Sequence, residues 1–353
     1  MLKVIKVDGG KYDDIVDKQK VSFLQRSSWA KFKEKVSSYS PEYYLIYEDG
    51  KAIGGFLALK KVRKFFRLSF DARYIPRTVF FFEKDKMTNS ELLREVLVEL
   101  KKLKSSLTIV EFDYPYWFSD FPPENKYIDL IRKVSSDLHL TYLDRPVQPA
   151  YTVVKSTMED DLISSFPSSS ARRNCRWGIK RAEKRKIEFV VKEKLSNSEL
   201  EEAHRLIKMI SEKKRFKGRT YAYFKALQDI VPEVIWFILV DRMKKGKIIL
   251  ANIGILDRKN STFIDLYVGR DVKYDKFYLH YALKYFSFNY LKSIGVKYYD
   301  HWGIELDKSS PLYGYSSFKL RFGGRIIKLP GMIILGNPFL RELTKVFRRV
   351  IYL

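Results

Sequence analysis

Seven cations, Arg172, Arg173, Arg176, Lys180, Arg181, Lys184 and Arg185, recur at intervals of three and four within Ser168–Lys186, SSSARRNCRWGIKRAEKRK. On a helix that spacing gathers them into a cationic stripe, and Pro167 with the serines after it supplies the helix start. Charges of one sign packed this closely repel one another, and an anionic partner relieves the repulsion. Phosphate-rich ligands are the chemistry such a stripe suits, although a solvated helix face has the same pattern. Metal chemistry has little to work with: the sole cysteine is Cys175, the four histidines are scattered, and there is no H-E-x-x-H. No Walker-type phosphate loop is present either.

The elements that must position these residues form two similar successions. Tyr43–Tyr47, Ile53–Leu59 and Phe65–Phe70 read as strands, with Glu48-Asp49-Gly50-Lys51 as a hairpin turn. Ser90–Leu103 reads as an amphipathic helix with Ser90 as its N-cap and Leu92, Leu93, Val96 and Leu100 on one face. Thr108–Asp113 follows as a buried strand that ends in a carboxylate. The second succession has the helix Glu199–Lys213, the strands Trp236–Asp241, Ile248–Leu256 and Phe263–Val268, the helix Tyr278–Ile294 and the strand Tyr298–Trp302. Meander, helix, strand thus occurs twice, in an α/β layered chain. A junction is expected in Asp144–Ser156, which carries Pro146 and Pro149.

The bulk numbers narrow the class. At 353 residues the chain is expected to hold two domains. Hydrophobic residues at 46% suffice for normal cores, and no run of about 18 apolar residues forms a membrane span. The opening MLKVIKVDGGKYDD turns acidic before an apolar stretch develops, so no signal peptide is expected and the protein is read as cytoplasmic. Lys plus Arg exceed Asp plus Glu by 67 to 42, a net charge of +25. A field of that size attracts nucleic acid, an anionic membrane surface or a phosphorylated substrate, and charge alone does not choose among them.

The basic segment is accompanied by three further stretches. They are Phe23-Leu24-Gln25-Arg26-Ser27-Ser28-Trp29-Ala30-Lys31-Phe32-Lys33, Tyr299-Asp300-His301-Trp302-Gly303-Ile304, and Pro311 to Gly324, PLYGYSSFKLRFGG. Together they resemble the FemABX family, whose members show an F-L-Q-S-x-x-W-x-x-x-K opening and a basic R-x-N-x-R-x-A-x-K helix. A Y-D-x-x-G-I strand end and an L-Y-x-x-x-F-K-x-x-F-G-G segment follow in those members. The resemblance implies two tandem GNAT-like acyltransferase domains, 1–153 with about 331–353 and 154–330. The stretch Ile333–Leu353 then returns to the first domain. Without a heptad-rich insertion, the chain looks like the members that lack a coiled-coil arm.

The resemblance also implies the activity, transfer of an amino acid from aminoacyl-tRNA to the stem peptide of a peptidoglycan precursor, lipid II or UDP-MurNAc-pentapeptide. No cofactor and no metal are implied, and the inner face of the membrane is a possible place of work. Lys33 and Arg219 match residues that contact the precursor's diphosphate, and Tyr223 and Tyr267 match residues lining the same groove. Aminoacyl transfer needs a cation at the tetrahedral oxyanion, and Lys319 can supply that charge or grip the 3′ end of the tRNA, while Phe318 can stack on its terminal adenine or sugar. Asp113 matches a carboxylate near the acceptor amine. Arg172, Arg173, Arg176 and Lys180 are the expected tRNA contacts. An acyl-CoA-dependent GNAT is the alternative enzyme, but Gly269 to Phe277, GRDVKYDKF, lacks the glycine-rich pyrophosphate turn. A non-enzymatic RNA-binding protein is the other alternative.

Overall fold

Strand β1 (Leu2–Val7) and helices α1 (Gly9–Val16) and α2 (Ser27–Ser37) precede a meander of β2 (Ser40–Glu48), β3 (Lys51–Phe65) and β4 (Leu68–Thr78). Next come α3 (Lys84–Met87), α4 (Ser90–Lys102), β5 (Leu107–Phe112), α5 (Glu124–Asp137) and β6 (Thr141–Leu143). The second part runs β7 (Tyr151–Ser156), α6 (Ser169–Lys184), β8 (Ile187–Lys192), α7 (Asn197–Lys213), α8 (Tyr221–Ile230), β9 (Val234–Asp241), β10 (Lys247–Asp257) and β11 (Thr262–Arg270). It continues with α9 (Leu279–Ser293), β12 (Tyr298–Ile304) and α10 (Tyr313–Leu320). The chain then passes through β13 (Arg325–Lys328), β14 (Met332–Gly336) and α11 (Pro338–Val346). This computed structural model describes residues 2–65, 68–103, 105–213 and 218–346.

Two compact units result: Met1–Ala150 with Ile327–Leu353, and Tyr151–Ile326. One sheet has the order β1-β2-β3-β4-β5-β14-β6, the other β13-β7-β12-β11-β10-β9-β8. In each, an antiparallel meander is followed by a single parallel neighbour, β5 beside β4 and β12 beside β11. A parallel pair needs a crossover connection, which the chain makes through α3 and α4 in the first unit and through α9 in the second. The run Val-Ile-Trp-Phe-Ile-Leu-Val of β9 is buried throughout, because layers cover both faces of that strand.

Local chemistry shifts some expected boundaries. Asn89, not Ser90, caps α4: its side chain accepts the backbone N–H groups of Glu91 at 2.9 Å and Leu92 at 3.1 Å, and Ser90 is the first helical residue. The single strand expected at Phe65–Phe70 instead falls across a hairpin, with Phe65 closing β3, Leu68 opening β4 and the two paired. Residues 66–67 of that stretch and 347–353 of the expected C-terminal return lie outside the described residues. In α6, Ser168 caps the first turn through Ala171 N–H. Gly178 is required within that helix, since a Cβ there would lie 2.5 Å from the Tyr278 carbonyl at the start of α9.

Candidate active site

The second unit holds the denser chemistry. The parallel ladder between β11 and β12 is short, pairing only Thr262–Ile264 with Tyr298–Asp300. Just past the last pair stand Asp265 on β11 and His301 on β12. Against β7, Asp300 pairs with Val154 and Gly303 with Thr152, so His301 and Trp302 form a bulge opposite Val153. Trp302 has φ of +58°, a conformation that costs a bulky residue energy and persists where neighbours enforce it. Asp300 is one enforcer: its Oδ1 accepts Trp302 N–H at 2.7 Å and also the Thr152 hydroxyl. The bulge presents the Gly303 carbonyl to α10, where Lys319 Nζ donates to it at 2.8 Å.

Behind Lys319 lies a buried ionic network. Lys284, on the core face of α9, donates to Asp265 Oδ2 and, at 2.5 Å, to the Tyr299 hydroxyl. That hydroxyl donates to the same carboxylate oxygen at 2.9 Å, and Asn252 Nδ2 donates to the other at 2.6 Å. Burial opposes ionisation of Asp265, but Lys284 and then Lys319 outweigh it and hold the carboxyl below its usual range. Burial pushes Lys319 down to about 8, with Asp265 opposing and Lys284 adding to the shift. His301 is fully buried and neutral, its pKa driven well below the ordinary value by burial and then by Lys284. Among the described residues neither of its ring nitrogens has a hydrogen-bond partner.

Phe318 does not stand clear of the core. Its half-buried ring packs 5.0 Å from Phe322, 5.2 Å from Tyr281 and 5.3 Å from His280. The glycine pair after it ends α10, with Gly323 at φ +79° and Gly324 at φ +110°. A Cβ on Gly324 would lie 2.7 Å from the Val154 carbonyl.

Arg219, Tyr223 and Tyr267 do come together. The Thr220 hydroxyl accepts Tyr223 N–H at the start of α8, which aims Tyr223 at β11, where its hydroxyl meets that of Tyr267 at 3.1 Å. The exposed Arg219 guanidinium lies 5.0 Å from the Tyr223 ring centre. On α6, Arg173, Arg176 and Lys180 lie at the surface, Arg173 resting 5.1 Å from the Trp177 ring centre. Arg172 instead donates to the Phe166 and Pro167 carbonyls that precede the helix. Arg181 donates to the Lys276 carbonyl and Arg185 lies over Phe277, so those two cations serve the packing of α6.

Lys33 and Asp113 belong to the first unit. Lys33 on α2 lies 5.5 Å from the Tyr39 ring centre, and Lys61 at 5.2 Å and Arg63 at 5.5 Å, both on β3, lie over the same ring. Burial and then the neighbouring Arg63 charge hold Lys61 below the ordinary lysine value. Three cations converging from two elements suit a phosphate better than one lysine does. Asp113 is buried at the end of β5, where its Oδ1 accepts Tyr114 N–H at 2.9 Å. Two residues earlier, Glu111 accepts Gln148 N–H and the Tyr74 hydroxyl, and burial pushes it up to about 7.

Residue types and spacing gave no role to Asp265, Lys284, Tyr299, His301, Glu111, Lys61 or Arg63. A signal existed for three of them. Asp265 and Glu111 interrupt apolar strand runs, and Lys284 falls on the apolar face of a helix. A charge at such a place needs a buried partner.

The FemAB family model matches residues 10–245. No curated protein matches the chain. Among solved structures the chain is similar to the crystal structure of FemX, with TM-score 0.77 and 17% identity over 98% of this chain and 99% of that one. L-PGS from Bacillus licheniformis is similar at TM-score 0.58 and 13% identity, over 98% of each chain. A tandem GNAT protein from the clavulanic acid biosynthesis pathway is similar at TM-score 0.52 and 8% identity, over 96% of this chain and 99% of that one. At these identities the likeness is one of fold, two GNAT-like halves in one chain. Among the described residues no helix is long and apolar enough to cross a membrane.

Proposed function

The chain belongs to the FemAB family, and from that premise we propose that it is a tRNA-dependent aminoacyl transferase acting on the stem peptide of a peptidoglycan precursor. The observation that carries this reading is Lys319, which the bulged end of β12 holds by the Gly303 carbonyl within the Phe-Lys segment. The ester of an aminoacyl-tRNA is already activated, so the reaction asks the protein for positioning and charge rather than for ATP or a metal. Lys319 is assigned to the ester, Phe318 to the terminal nucleoside and Asp113 to the acceptor amine. Lys33 and Arg219 are assigned to the precursor's diphosphate, with Tyr223 and Tyr267 beside Arg219. The test is incubation with a mixture of charged tRNAs and with lipid II or UDP-MurNAc-pentapeptide, read by mass. An aminoacyl adduct formed only with charged tRNA supports the reading, and no adduct on either precursor overturns it.

Arg219→Ala is expected to weaken the muropeptide by roughly 1.5–3 kcal/mol, the scale of a charge-assisted hydrogen bond, while leaving the affinity for charged tRNA nearly unchanged. Titration of each substrate separately measures both, and equal weakening removes Arg219 from the diphosphate.

The surface cations of α6 are assigned to the tRNA backbone. Affinity for charged tRNA should then fall steeply with salt, and replacing Arg173, Arg176 and Lys180 with Gln should flatten the slope of log K against log salt. The slope should change by about 0.7–0.9 for each phosphate that is no longer neutralised. A slope unchanged by the triple substitution assigns this face to solvent or to an anionic membrane.

A further inference from the structure

Each carboxylate near Lys319 is already engaged. Asp265 receives Asn252 on one oxygen and both Lys284 and Tyr299 on the other. Asp300 receives Thr152 and Trp302 N–H. The one hydrogen bond of Lys319 among the described residues goes to a neutral carbonyl, that of Gly303. A carbonyl accepts an N–H from an amine as well as, more strongly, from an ammonium, so this anchor can form whether or not Lys319 is charged. The titratable groups facing it are Asp265 from β11, Lys284 from α9 and Asp300 from β12. His301 on β12 is close enough to feel Lys319, as well as Lys155 from β7, and it stays neutral. Lys284 therefore divides the attraction of Asp265 with Lys319 and adds a repulsion of its own.

We propose that Lys284, by engaging Asp265, is a positioning residue that leaves Lys319 able to accept the proton of the attacking acceptor amine. This rests on the transferase reading. As the amine nitrogen bonds to the ester carbonyl carbon, the π pair moves to oxygen and a proton passes from the new ammonium centre to Lys319 Nζ. The Lys319 ammonium then stands beside the oxyanion. When the oxyanion collapses, the bond from carbon to the ribose oxygen breaks and Lys319 returns the proton to that oxygen. The products are the amide and the free tRNA hydroxyl, with Lys319 restored as an amine. The low pKa of Lys319, about 8, agrees with this role.

Two readouts test the proposal on the full-length protein. The first is the pH profile of turnover, which should fall on the acid side with a midpoint near that of Lys319. Lys284→Met frees Asp265 for Lys319 and removes a neighbouring positive charge, so the midpoint should rise by about one unit, a tenfold loss at pH 7 with the alkaline plateau retained. Asp265→Asn removes the attraction and should move the midpoint down. Opposite shifts are the signature, because general damage lowers the plateau in both variants. Should Lys284→Met not fold, Asp265→Asn carries the test. The second readout is labelling of native amines with trace acetic anhydride across pH, read at Lys319 by mass spectrometry, which needs no substrate. Opposite shifts in labelling without any aminoacyl transfer would uphold the control of Lys319 by Lys284 and sink the transferase reading. A Lys319 midpoint near the usual lysine value of about 10.4, or one that neither variant moves, overturns the proposal.

Discussion

Lys319→Met is expected to lower turnover by about two or more orders of magnitude, matching about 2.7–4 kcal/mol for losing an oxyanion donor. Met keeps the length of the side chain and removes both the charge and the titrating nitrogen. Lys319 is half-buried and its hydrogen bond goes to the Gly303 carbonyl, so the substitution leaves one carbonyl without that partner and should cost little in packing. A group that matters at the transition state changes turnover, while one that only grips a bound substrate changes the Michaelis constant. Steady-state kinetics with both substrates varied separates these cases. The muropeptide constant should hold nearly steady. If only the tRNA constant rises and turnover survives, Lys319 is a docking residue and the charge at the ester comes from elsewhere.

Asp265→Ala is expected to destabilise the second unit by about 3–5 kcal/mol, the cost of removing one partner from a buried ion pair. The Lys284 ammonium, the Tyr299 hydroxyl and the Asn252 amide all lose their shared acceptor, and none of these residues reaches bulk water. Urea unfolding followed by the fluorescence of Trp236, fully buried in β9 of the same unit, measures the loss. The double variant Asp265→Ala with Lys284→Met should recover most of it, because the orphaned charge leaves with its partner. A single-variant loss below about 1 kcal/mol would mean that the pair contributes no more than an exposed one.

Much of this was legible along the chain, for local reasons. Periodic apolar residues marked the helices and strands that repeat as meander, helix, strand, and the spacing of seven cations marked α6 as a basic helix. Four stretches carried the family resemblance, and the two of them that lie within the family match over residues 10–245 are Phe23–Lys33 and the basic segment Ser168–Lys186. Caps and turns were less secure, since Asn89 and Ser90 are both competent N-caps and hydrogen-bond geometry decides between them.

What only the tertiary structure decided are pairings between residues far apart in the chain. Asp265 stands on a strand and Lys284 on the crossover helix that follows it, and Tyr299 joins them only because β12 lies parallel to β11. Lys61 and Arg63 join Lys33 because a strand and a helix both reach Tyr39. Arg172 and Arg173 are adjacent in sequence, yet one turns back to carbonyls of its own chain and the other lies at the surface beside Trp177. A residue's type and spacing are written in the sequence, but its burial and its partner's charge are not. Those two quantities set whether Lys319 titrates as an ordinary lysine or is pushed down to about 8.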